Sequence, residues 1–214
     1  MQDFLFYLSL GWEHIISADA LDHQLFVLAL VAAYSYKDLK QLLILVTAFT
    51  IGHSITLALS VTDVFRISSH WVEFLIPLTI VITSLDNIRM KNHPKSLMKL
   101  NYYLALFFGL IHGMGFANTA RMMLAKEQGI FVPLMGFNIG LELGQILVVA
   151  VLLLIFYSAL SLLKISRRDW ILFVSSGVFA LSLQMTLERI PFWSLSNRQF
   201  SPALHNVLLH LFTI

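Results

Sequence analysis

Seven ionisable side chains of this sequence lie in or beside stretches apolar enough to cross a bilayer: His14, Asp22, His23, His53, Glu73, His112 and Glu142. An ionisable group near a bilayer centre costs about 2.5–3.5 kcal/mol even on insertion scales, so it persists where it is paired, metal-bound or facing a wet cavity. Neutral imidazole suits zinc, nickel, copper and iron, and added carboxylates compensate divalent charge in a low-dielectric setting. The chain contains no Cys, which excludes a thiolate zinc site, a disulfide scaffold and a cysteine nucleophile. The chemistry these residue types can do is binding of a divalent transition-metal ion. The candidate ligands are His14, Asp22, His23, His53, His112 and Glu142.

Their neighbours form a set that could orient the ligands or couple to them. Asp19, Asp22 and His23 stand at i, i+3 and i+4, so one helical face can present two carboxylates and an imidazole. The plainer reading of Asp19 is a helix-start cap. Thr50 and Ser54 share a face with His53 and can orient its ring; they can also simply bond back to the carbonyl four residues before. Asn138, Glu142 and Gln145, at i, i+4 and i+7, make a polar stripe in an otherwise apolar segment. Glu142 reads as a cation ligand or proton acceptor, with a protonated hydrogen-bond donor as the alternative. Glu73 begins a span and is shallow enough to be interfacial. Gly109 and Gly113 around His112, and Gly136, Gly140 and Gly144 at four-residue spacing, predict close helix approach in lipid.

The elements that must position these side chains are membrane helices. Composition is 58% hydrophobic with 12% charged residues and a mean hydropathy of +0.80, more apolar surface than a soluble domain of this length buries. A spanning helix needs roughly 20 apolar residues. Six stretches qualify or come close, around 22–36, 39–62, 71–90, 100–121, 132–160 and 170–188, and residues 3–17 predict a seventh, short helix half-buried at the outer side. The fold class is therefore all-α, a polytopic transmembrane bundle forming one domain over 1–214. Residues 3–17 lack the basic start of a signal peptide. The net charge of +2, spread between apolar spans, excludes a nucleic-acid partner and leaves the lipid bilayer and a metal ion.

Loop charges orient the bundle, since Lys and Arg collect on the cytoplasmic side. The loops after spans one, three and five carry Lys37, Lys40, Arg89, Lys91, Lys95, Lys99, Lys164, Arg167 and Arg168. The opposite side carries fewer, Arg66, Arg121, Lys126, Arg189 and Arg198. Both termini are thus expected outside a cytoplasmic (inner) membrane. Counting 1.5 Å per residue from helix ends near Thr62, Arg121 and Val132 puts His53, His112 and Glu142 roughly 13–15 Å deep, in one layer. His14, Asp22, His23 and Glu73 would then form an outer rim above that layer.

The motifs in order are HI at 14–15, DHQLFVLAL at 22–30, TAFTIGHSITL at 47–57, FGLIHGMGFA at 108–117 and FNIGLELGQ at 137–145. Over roughly residues 11–150 they resemble the HupE/UreJ family of membrane proteins, hydrogenase and urease accessory proteins regarded as nickel permeases. Seven residues separate His14 from Asp22, a longer gap than in the HxxxxxDH of the nickel-transporting members, so the chain is more similar to the second HupE/UreJ branch. The resemblance implies a metal permease. Three functions stay open on the residues: a divalent-metal permease, an intramembrane metal-dependent hydrolase or oxidase with a fixed centre, and a metal sensor or chaperone. No nucleotide-binding motif is present, so any flux would be passive or ion-coupled.

Overall fold

The structure, a computed structural model, describes residues 2–35, 38–64, 67–89, 98–124 and 129–191. Every regular element among them is helical, as expected where lipid offers the backbone no hydrogen-bond partners. The helices are α1 (Gln2–Ile16), α2 (Leu21–Ala33), α3 (Leu39–Val61), α4 (Ser69–Arg89), α5 (Met98–Leu124), α6 (Phe131–Leu163) and α7 (Arg167–Glu188), with a single 3-10 turn, Ala18–Ala20, between α1 and α2. The predicted stretches and the observed helices agree to within a few residues.

By length and apolarity, four helices are able to cross a membrane: α3, α4, α6 and α7. A fifth span results if α1 and α2, which meet at a bend of 67°, count as one broken crossing. The apolar part of α5 is shorter, Tyr102–Ala117. Among the described residues this measure gives four spans, or five with the bent pair, against the expected six. Residues 22–36 meet the measure only together with α1, and α5 contributes only that shorter stretch among the described residues. The predicted outer C-terminal segment, with His205 and His210, lies outside the described residues.

Two helix pairs form the rigid heart of the bundle, and glycine makes both possible. A Cβ at Gly109 would collide with the Phe49 carbonyl and one at Gly52 with the Leu106 carbonyl, so α3 and α5 touch backbone to backbone. Gly113 extends the contact to the His53 carbonyl. In the same way Gly11 meets the Phe137 carbonyl and Gly140 the Leu8 carbonyl, pressing α1 against the first half of α6. Without a hydrophobic driving force between helices in lipid, such close packing is what holds them together. Phe26 and Phe49 of α2 and α3, stacked at 4.8 Å, join Ile80 of α4, Phe108 of α5 and Val178 of α7 in one apolar core.

The remaining helix, α7, is fastened by arginines at both ends. Arg167 donates to the Ala33 carbonyl at the end of α2 (3.0 Å), and Arg168 to the Asn87 (3.3 Å) and Ile88 (2.7 Å) carbonyls at the end of α4. At the other end Arg189 reaches the Asp22 carboxylate (3.2 Å) and the Glu73 carbonyl (3.5 Å). The last carbonyls of a helix lack partners within it and carry the negative end of its dipole, so a guanidinium is well suited to them. Arg121 closes α3 likewise through the Ser60 carbonyl at 2.6 Å.

Candidate metal centre

The break between α1 and α2 decides where the histidines go. α1 stops at Ile16, and its terminal carbonyls at Ile15 and Ser17 accept hydrogen bonds from the Gln24 amide at 3.1 and 2.9 Å. These bonds satisfy backbone that a continuous helix would have paired, as a broken helix inside a bundle requires. The chain then turns, and the His14 ring at the end of α1 meets the His23 ring at the start of α2, with centroids 4.9 Å apart. α3 brings His53 within 6.0 Å of His14 and 5.9 Å of His23. His14, His23 and His53 can each offer one nitrogen so that all three lie within 4.8 Å of one another.

His112 of α5 flanks this group, 5.0 Å from His23. Its Nε2 shares a 3.3 Å hydrogen bond with the Thr79 hydroxyl of α4. Around the four imidazoles stands an aromatic wall. Phe116 and Phe137 are stacked at 4.9 Å beside His14, and Phe49 and Phe26 lie 5.0 and 5.5 Å from His112. His53 and His112 are fully buried and His23 nearly so. The His14 Nε2, His23 Nε2, both nitrogens of His53 and the His112 Nδ1 are buried without a hydrogen-bond partner. Buried polar atoms are nearly always paired, so several orphaned imidazole nitrogens aimed into one space fit a cation ligand set.

The carboxylates lie elsewhere. Asp22 turns its Oδ2 to Arg189 and leaves its Oδ1 buried without a partner. Glu142 accepts a 2.6 Å hydrogen bond from Thr47 of α3. Beside it, Thr50 bonds the Gln145 amide oxygen at 2.8 Å, which ties the polar stripe of α6 to α3. Thr50 also bonds back to the Val46 carbonyl and Ser54 to the Thr50 carbonyl, the plainer of the two roles open to them, and neither hydroxyl bonds a His53 nitrogen. The Asn138 Oδ1 is buried and unpartnered. Glu73 is exposed, and only its backbone oxygen meets Arg189. Asp19 lies in the 3-10 turn, and its side chain is outside the described residues.

The structure thus regroups the candidate ligands. The expected rim of His14, Asp22 and His23 above a layer of His53, His112 and Glu142 gives way to one imidazole cluster, with each carboxylate engaged outside it. Three further residues bear on the site without a local pattern that assigns them to it. Thr79 and Thr47 are ordinary threonines in apolar helices, and Arg189 counted only as a loop charge.

Residues 1–189 match the family model described as HupE / UreJ protein, the second model of that name. The chain belongs to the HupE/UreJ family. That family is associated with nickel and metal handling at membranes, in keeping with the resemblance carried by the histidine motifs. No curated protein and no solved structure matches the chain.

Proposed function

We propose that this HupE/UreJ protein moves a divalent transition-metal ion, nickel or zinc, across the membrane by way of the imidazole cluster. The observation that carries the reading is the convergence of His14, His23 and His53 from three helices, with ligand atoms within 4.8 Å of one another. The ion is the cargo. His14 and His23 would receive it at the break between α1 and α2, His53 would complete the set, and His112, tied to Thr79, would support it from α5.

The ligand set suits passage better than storage. A carrier must bind weakly enough to release, and neutral imidazoles leave the divalent charge uncompensated in a low-dielectric interior. Glu142 and one oxygen of Asp22, which would tighten binding, are engaged by Thr47 and Arg189. In this reading the six apolar helices, with α1 and α2 as one broken crossing, put both termini on the outer side. The excess of Lys and Arg then lies on the cytoplasmic side.

A second reading has its own support. Three protein imidazoles with one position left over is the ligand number of catalytic zinc centres, where a bound water is activated, and the burial of His53 would keep such a centre dry. Elemental analysis of the purified protein, run beside nickel and zinc uptake into proteoliposomes, separates the two. Uptake that His53→Ala or His112→Ala abolishes supports the carrier. Stoichiometric metal that survives chelation, without uptake, sinks the carrier and favours the fixed centre.

A further inference from the structure

A cleft of about 830 Å³ lies among α2, α6 and α7, lined by none of the four clustered histidines. Leu25, Leu28 and Val31 form one wall, Phe156 another, and Trp170 and Val178 the third. Ile155, Phe173 and Leu181 line it and are themselves exposed, so the cleft is accessible along its length. Its volume falls in the range of small-ligand pockets, yet its walls offer a polar ligand almost nothing to bond.

One end is different. The turn that joins α6 to α7 lies between the lining residues Phe156 and Trp170 in sequence and holds Lys164, Arg167 and Arg168 within five residues. Arg167 is fixed over this end by its bond to the Ala33 carbonyl, next to Ala32 in the cleft wall. Its guanidinium stays half exposed, and the nearest carboxylate, that of Asp38, is 4.0 Å away. Trp170, stacked on Phe156 at 5.4 Å, sits one turn further in, a position typical of the membrane–water interface.

We propose that this cleft binds one anionic phospholipid of the surrounding bilayer, with an acyl chain along α2, α6 and α7 and the headgroup phosphate at Lys164 and Arg167. An apolar trough with a basic rim at the membrane surface matches the two ends of such a molecule, and basic pockets between membrane helices take anionic headgroups. The bound chain would fill the space beside α7, which meets the bundle there less closely than the glycine-packed pairs meet each other.

Gly177 offers a clean test, because it lines the cleft and a Cβ added there meets no atom within 4 Å. The protein is reconstituted in nanodiscs of equal phosphatidylglycerol and phosphatidylcholine, extracted into mild detergent and weighed by native mass spectrometry. The wild type should retain phosphatidylglycerol in preference to phosphatidylcholine. Lys164→Gln should lower that preference about fivefold, the effect of one basic residue at a membrane surface, and Gly177→Phe should abolish retention. A variant keeping Trp170 as its sole tryptophan gives an independent readout, with quenching by brominated-acyl phosphatidylglycerol stronger than by the phosphatidylcholine analogue. Equal retention and equal quenching by the two lipids overturn the proposal. So does Gly177→Phe retaining lipid as the wild type does, or a wild type that emerges as a dimer without lipid.

Discussion

The imidazoles and the carboxylates of this membrane interior are treated in opposite ways. Asp22 is met at one oxygen by Arg189 and Glu142 by Thr47, with the second Asp22 oxygen left buried, whereas five imidazole nitrogens are buried with nothing to bond. A carboxylate left alone in a low-dielectric interior is far more costly than a neutral ring, so the protein's own donors go first to the carboxylates. The imidazoles are left over, and being neutral they can wait for a cation from outside. The contrast explains how a site can be deeply buried, rich in ligands and still compatible with release.

Removing an imidazole should break the contrast most severely. His23→Ala, His53→Ala and His14→Ala are each expected to weaken nickel or zinc binding at least a hundredfold by titration calorimetry, and about 2.7 kcal/mol corresponds to that factor. His112→Ala, whose ring is already tied to Thr79, should cost about tenfold, the usual effect of a supporting partner. If all four cost the same, His112 belongs to the ligand set on equal terms.

Next in size is the packing that holds the rings in register. Gly140→Leu forces a side chain into the Leu8 carbonyl and should lower stability by about 1–3 kcal/mol or more, read as an earlier unfolding transition in detergent. The metal affinity of whatever remains folded should fall with it, because α1 carries His14.

The carboxylate side of the comparison predicts smaller effects. Arg189→Gln should cost about 1 kcal/mol of stability, as expected for a partly exposed ion pair, and Asp22→Asn in the same background should cost little more. Glu142→Gln should change metal affinity less than about threefold. A hundredfold loss there would show that the carboxylate leaves Thr47 for the ion, and the division between the two classes of side chain would fail.

Much of this was legible from residue types alone. Helix extents follow from apolar runs, since lipid permits little else. Histidines stand out in such runs because their cost demands a reason, and the four-residue glycine spacing of α6 announced the approach of another helix. The grouping of the polar residues was not legible. Depth along a helix can be counted, but which way a side chain faces across the bundle depends on helix rotation and on partners distant in sequence. Nothing local to Asp22 points to an arginine 167 positions later, and nothing in TAFT singles out Thr47 as the partner of Glu142. The 67° bend was equally hidden, because the short polar stretch from Ser17 to Ala20 also reads as an ordinary helix start.

That bend has a consequence in plain trigonometry. At 100° per residue, two positions nine apart on an unbroken α-helix point in opposite directions. His14 and His23 are nine apart and face each other only because the rod is snapped between them, with the Gln24 amide holding the ends. The angle therefore decides which rings share the cluster. A rearrangement that straightened residues 17–20 into helix would throw the two rings to opposite sides and dissolve the cluster without moving α3 or α5.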